Sequence, residues 1–144
     1  MFERIVVAVD GSEPSKRALA TACEMAQKFQ AELHLVHSPQ VETTTIFVGG
    51  GSVEIKPKDE DIQKAGAEVV SAARKSAAEL GCDALKYTIG ANDPVTDIQN
   101  CVEATGADLV VMGRRGLGGL GNLFLGSISQ KVSHDTKCSC LTVS

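Results

Sequence analysis

Aromatic residues are scarce: the chain has no tryptophan, one tyrosine and four phenylalanines. That shortage disfavours a flavodoxin-like electron carrier, which stacks its flavin on aromatic rings. Cysteines are present at 23, 82, 101, 138 and 140, but the odd count offers neither a disulfide scaffold nor CxxC zinc spacing, and reduced thiols are expected. An excess of basic residues is missing as well. The formal charge of -4 gives no general attraction to nucleic acid or to an anionic membrane, so any anion site has to be local. Long hydrophobic runs are also absent. None approaches the roughly 18 to 20 residues of a membrane span, and Met1-Phe2-Glu3-Arg4 leads straight into a strand pattern without signal-peptide architecture. The expectation is a cytoplasmic protein with no membrane insertion.

The 144 residues suit one domain, 1–144. A chain of that length buries about 70% of the surface its unfolded form exposes. Arg4-Ile5-Val6-Val7-Ala8-Val9 is a continuous, β-branched apolar run and reads as a central strand. It stops at Asp10-Gly11-Ser12. Ser12 can cap the following helix, Pro14 is tolerated in a first turn, and Leu19, Ala22, Cys23, Ala26 and Phe29 line one helical face. A second strand runs from Glu32 to His37 and breaks at Ser38-Pro39. Residues 39–57, with three consecutive glycines at 49 to 51, read as a mobile loop or a short ribbon, either bland or acting as a flap or partner contact. A second helix is predicted from Asp59 to Leu80, with Ile62, Ala65, Val69, Ala72 or Ala73, and Leu80 on its apolar stripe and Gly81 ending it. Ala84 to Ile89 reads as the third strand. After the turn Gly90 to Pro94 comes a third helix, with Ile98, Cys101, Val102 and Thr105 facing inward, closed by Gly106.

The stretch from Ala107 to Ser129 carries the chemistry. Asp108 to Met112 is a buried-strand pattern that ends abruptly at Gly113, and glycines then fall at 113, 116, 118, 119, 121 and 126. Ser127 opens a helical pattern, with Ile128 and Val132, that closes near His134. A glycine-rich loop brings bare backbone N–H groups close to an anion, and a hydroxyl at a helix N-terminus adds to a dipole that favours negative charge. These features predict a phosphate site, with Arg114 and Arg115 as local cations. Ser139 to Val143 is the last strand. Five strands alternating with four helices predict a doubly wound parallel sheet with helices on both faces. Ligands in such sheets bind at the carboxyl ends of strands where the strand order reverses. If the first and fourth strands are neighbours, Asp10 and Gly113 emerge there side by side.

Two competing motifs are weaker. Gly121-x4-Gly126-Ser127 imitates a P-loop but lacks the lysine after the second glycine. Gly116-x-Gly118-x-x-Gly121 matches a dinucleotide fingerprint, yet follows the fourth strand with only 23 residues after it, too few for a full βαβ unit.

Gly113-Arg114-Arg115-Gly116, nine residues, then Gly126-Ser127 resembles the Gly-x2-Gly-x9-Gly-Ser/Thr pattern of ATP-binding members of the universal stress protein family. The opening strand ending in Val9-Asp10-Gly11-Ser12, the second ending in Leu35-Val36-His37-Ser38, and the length fit the same family, so the likeness covers essentially all 144 residues. It implies a five-stranded parallel sheet of order 3-2-1-4-5, a Rossmann-like fold similar to the adenine nucleotide alpha hydrolases, with ATP at the switch point. Ala8, Val9 and Asp10 would then sit by the adenosine, with Asp10 near the ribose. Ser38, where the family often has an apolar residue, would border the adenine. Gly113, Arg114, Arg115, Gly116, Leu117, Gly118 and Gly119 would wrap ribose and phosphates, and Gly126, Ser127, Ile128 and Ser129 would hold the phosphate tail. Magnesium would be held mainly by the phosphates, with Ser127 a candidate side chain.

No catalytic group and no protein-built metal site are expected. His34 and His37, three apart in a strand, point to opposite faces. His134 reads as a helix C-terminal charge partner, and Cys138 and Cys140 share one strand face, which suggests packing or a redox role. Without an evident lysine, positioned arginine or general base, any ATP hydrolysis would be slow. The last strand lies at the end of the predicted sheet with one residue after it, and exposed edges invite pairing. The resemblance implies a homodimer through this strand, with Leu141 and Val143 supplying apolar contact. The expected function is an ATP-binding regulatory dimer that signals to a protein partner; a slow ATPase and a nucleotide-free interaction protein are the alternatives.

Overall fold

The computed structural model describes residues 1–83, 85–115 and 125–144. Five strands form one sheet: β1 (Arg4–Ala8), β2 (Glu32–His37), β5 (Lys86–Ile89), β6 (Leu109–Gly113) and β7 (Ser139–Val143). Their order is β5-β2-β1-β6-β7, and every neighbouring pair is parallel. This is the 3-2-1-4-5 order that the resemblance implies, in the parallel sheet expected from the alternation. Strand β5 begins at Lys86; Ala84, the expected start, lies outside the described residues.

Helices α1 (Glu13–Phe29) and α2 (Asp59–Glu79) cover one face, and α3 (Pro94–Thr105) and α4 (Ser127–Asp135) the other. The two cores follow the pleat of the sheet. Ile5, Val7, Val9 and Leu35 pack with Leu19, Cys23 and Val70 on the first face, while Val6, Val36, Val110 and Met112 pack with Ile98, Cys101 and Val132 on the second. Buried on both sides, β1 and β6 need the continuous apolar sequence that they have.

Helix α1 starts as expected. Ser12 adopts extended backbone, its hydroxyl accepts from the Ser15 N–H at 3.3 Å, and Pro14 sits in the first turn. Helix α2 presents part of the predicted stripe: Ile62 is buried, and Val69 and Ala73 pack against the core. Its buried residues are Ile62, Gly66, Val70 and Ala77, whereas Ala65, Ala72 and Leu80 are exposed. The cause is Gly66: a Cβ there would lie 2.8 Å from the Ile89 side chain, so its bare backbone lets α2 settle on β5 along that line.

Residues 39–57 contain a ribbon, the second of the two expected forms. Strand β3 (Thr44–Val48) pairs antiparallel with β4 (Gly51–Ile55). Gly49 and Gly50 both hold positive φ, 57° and 83°, as a two-residue hairpin turn matching strand twist requires. All ten strand residues are exposed, so the ribbon stands clear of the body and does not lie over the sheet as a flap.

Candidate functional site

The order reverses between β1 and β6, which run side by side in the register Ala8↔Met112. Asp10 and Gly113 therefore leave the sheet together, as the juxtaposition of the two strands requires. Gly113 is packed tightly at this point, where a Cβ would come within 2.9 Å of Pro14 Cβ in the first turn of α1. The half-buried Asp10 carboxylate is anchored by one oxygen, which accepts from the Ser12 N–H at 2.9 Å.

A backbone clamp closes the base of the glycine loop. The Gly126 N–H donates to the Arg114 carbonyl at 2.9 Å, and the Arg114 N–H donates to the Val143 carbonyl at 2.6 Å. The Ser129 hydroxyl, 2.9 Å from the Arg114 carbonyl and 3.0 Å from that of Gly126, ties the first turn of α4 to the same place. The loop thus leaves β6 and returns to α4 at one point. The residues between, including the predicted ligands Gly116, Leu117, Gly118 and Gly119, lie outside the described residues.

Helix α4 opens at Ser127, as the sequence pattern indicates. Gly126 occupies the N-cap, Ser127 is the first helical residue, and no side-chain cap bond is made. Ser129 is buried, at 3% exposure, with its hydroxyl committed to two carbonyls; it acts as a fastener and offers no side-chain group to a ligand. Ser127 and Ile128 are exposed. The first turn carries no acidic residue, and among the described residues no side chain caps its N–H groups, which favours an anion at the positive end of the dipole. Arg114 is exposed and Arg115 half-buried beside them.

Ala8 is half-buried at the end of β1, but Val9 is 7% exposed and both of its peptide groups are used. Its N–H donates to the Val36 carbonyl at 3.0 Å, and its carbonyl accepts from His37 Nδ1 at 2.7 Å. Val9 is a core residue at the site and presents no free polar group. His37 is buried with Nδ1 as the protonated nitrogen, since a carbonyl only accepts. His34 lies on the opposite face with Nε2 2.8 Å from Thr88 Oγ1, and burial, then Lys86, holds its pKa below the ordinary imidazole value. His134 is exposed and pairs with Asp135 at 2.7 Å. Cys138 and Cys140 do share a face, toward the α3 and α4 core.

Beyond Ser38 lies a group that the sequence analysis missed. Asp97, 4% exposed, accepts from the Ser38 hydroxyl, and its Oδ1 accepts from the Asn92 side-chain amide at 3.0 Å. The Asn92 N–H reaches both carboxylate oxygens at 3.2 Å. An aspartate in the first turn of a helix ordinarily reads as an exposed dipole partner, and only Gly90 signals otherwise, because the carboxylate fills the space where a Cβ would be.

Among the described residues no cluster of three or more His, Cys, Asp or Glu side chains is arranged to hold a metal ion, and no helix is long and apolar enough to cross a membrane.

The model of the universal stress protein family matches residues 1–144. Universal stress protein YxiE of Bacillus subtilis is 38% identical over 149 aligned positions, which cover 99% of each chain. Among solved structures, a universal stress protein from Archaeoglobus fulgidus is 28% identical with a TM-score of 0.72, all of both chains being covered. A second structure, a universal stress protein from Archaeoglobus fulgidus in complex with dAMP, is 25% identical with a TM-score of 0.70 and covers 99% of this chain and 98% of that one.

Proposed function

The chain belongs to the universal stress protein family, and from that premise we propose that it binds an adenine nucleotide, ATP foremost, at the carboxyl ends of β1 and β6. The observation that carries the reading is the clamp joining Gly126 to Arg114, which sets the open N-terminus of α4 beside the end of β6 and, one strand over, Asp10. The dAMP complex of the Archaeoglobus fulgidus protein supports an adenine nucleotide as the ligand class. In this reading the N–H groups of Ser127 and Ile128 receive phosphate oxygens, as helix N-termini do. Gly113 with Gly116, Leu117, Gly118 and Gly119 wraps the ribose and phosphates, Arg114 and Arg115 add charge at the rim, Asp10 meets the ribose, and Ala8 and Ser38 flank the base. Magnesium arrives with the phosphates, which supply most of its oxygen ligands.

ATP acts here as a ligand whose presence is signalled, and any hydrolysis is slow. The protein works as a cytoplasmic homodimer joined through the free edge of β7, and the occupied site is read by a protein partner. The five free cysteines suit a reducing compartment. Gly126→Val tests the site directly. A Cβ at 126 would lie 3.2 Å from the Arg114 carbonyl oxygen, so the larger side chain forces the clamp apart without touching the sheet. Loss of ATP binding by a variant with unchanged circular dichroism is expected; unchanged affinity in that variant would refute the assignment.

A further inference from the structure

Two cysteines that the nucleotide site does not use meet where the turn after α2 packs on α1. Cys23 lies within α1 at 1% exposure, and Gln27 follows it one turn later on the same helix face. Both touch that turn. Gln27 Nε2 donates to the Leu80 carbonyl at 2.6 Å and stands 4.0 Å from Cys82 Sγ. The Cys82 thiol donates to the Cys23 carbonyl at 3.8 Å, and the two thiols are hydrogen-bonding neighbours. The turn is held from its own side as well: Gly81 has a φ of 83°, and the Cys82 N–H donates to the Ala77 carbonyl at 2.8 Å.

The other cysteines are placed differently. Cys101 is buried on the opposite face of the sheet. Cys138 and Cys140 are two residues apart in one segment, so a bond between them would join no two elements, and Cys140 Sγ already lies 3.2 Å from the Thr136 hydroxyl. Within the first pair reactivity is divided. The thiolate is the form that attacks an oxidant. Cys82 is half-buried and reaches solvent, whereas burial first, then the hydrogen bond and charge of Cys82, push the Cys23 thiol up to about 12, so that it keeps its proton.

We propose that Cys23 and Cys82 are a modification site, a thiol pair that a hydroperoxide converts to a reversible disulfide locking the turn after α2 to α1. The inference is independent of the nucleotide reading. The Cys82 thiolate attacks one peroxide oxygen, the O–O bond breaks, and Cys82 becomes a sulfenic acid while the leaving oxygen takes up the thiol proton and departs as water. That step also removes the Cys82 charge that opposes ionisation of Cys23. Cys23 Sγ then attacks Cys82 Sγ, the S–O bond breaks, and the hydroxyl departs with the Cys23 proton as a second water. Two thiols have lost two electrons, and one peroxide has been reduced. A dithiol reductant restores both thiols by exchange, so in a reducing compartment the bridge is transient.

The test treats the folded full chain with hydrogen peroxide, alkylates the remaining thiols after unfolding, and maps the tryptic peptides. Cleavage after Arg17, Lys28, Lys75 and Lys86 leaves Cys23 alone in 18–28 and Cys82 alone in 76–86. The expected product is these two peptides joined, with two of the five free thiols lost and both recovered on treatment with dithiothreitol. The thermal midpoint should rise on oxidation and return on reduction in the natural chain, and should not rise in Cys82→Ser. In Cys23→Ala the Cys82 sulfenic acid has no thiol to resolve it and should be trapped by dimedone. A Cys82 that passes to sulfinic acid while Cys23 is still alkylated, a bridge found only between Cys138 and Cys140, or five intact thiols after peroxide would each overturn the proposal. The peptide map of the natural chain decides the matter even where a variant fails to fold.

Discussion

Gly90 is the position where a single methyl group matters most. With a Cβ 2.0 Å from Asp97 Cγ, alanine at 90 has to expel a buried carboxylate and its three donors or shift the start of α3. Gly90→Ala should cost about 3 kcal/mol, by the combined cost of overpacking and a broken buried polar group, read as a lower urea midpoint. A midpoint within error of the natural chain would show that Asp97 is free to move. The buried thiols give a pH dependence. Burial first, then the neighbouring Cys82, pushes the Cys23 thiol from 9.0 up to about 12, and burial pushes Cys101 to about 11, partly offset by Thr88. The folded chain therefore keeps protons that the unfolded chain releases. That stabilisation is fully present below pH 9.0 and is lost as pH rises through the folded values. Urea midpoints should fall as pH rises from 9.0 to about 11, and the fall should be shallower in Cys101→Ala; an identical fall in both would contradict the assignment to that thiol.

At the scale of elements, the hairpin and the helix caps differ in what they hold together. Phe47 and Val48 are 84% and 63% exposed, and the other hairpin residues are open as well, so β3 and β4 add little to the body. Replacing residues 44–55 by a short glycine-serine linker should leave the thermal midpoint of the sheet nearly unchanged; a large drop would show that the ribbon supports it. Ser12→Ala, in contrast, removes the N-cap of α1 beside Asp10 and should cost about 1 kcal/mol in chemical denaturation. The α1 cap and the central strands were legible because their causes are local: Ser12 before Pro14, and β-branched runs bounded by glycine. The α2 stripe was legible in part: Ile62, Val69 and Ala73 face the core as expected, whereas Ala65 looks as apolar as they do and is exposed. What brings Gly66 inward is its fit against Ile89, a contact between elements far apart in sequence. Asp97 was hidden for the same reason, since its burial depends on Gly90 and Ser38 from two other strands' ends.

At the scale of the whole molecule, the parallel, doubly wound class was readable from alternation, whereas the strand order, and with it the place of the crevice, came from the family resemblance. Adjacency of β1 and β6 puts Asp10 beside Gly113, and no property of either segment alone could have shown it. Among the described residues β7 has β6 as its one strand neighbour, and a free strand edge invites pairing. Leu141 and Val143, expected to supply apolar contact to a second subunit, are half-buried and also pack against the α1 side of the core. The proposed dimer must therefore rest more on the strand's backbone edge. Light scattering should give twice the 15.1 kDa chain mass; a monomer mass independent of concentration would remove the dimer and leave the crevice intact. Nucleotide binding at the clamp is the claim on which the rest depends, and calorimetric titration of the stripped, folded protein with ATP addresses it most directly. Saturable binding of one nucleotide per chain is the expected result. No binding of ATP or AMP through the millimolar range would contradict it and leave the clamp as a purely structural joint between β6 and α4.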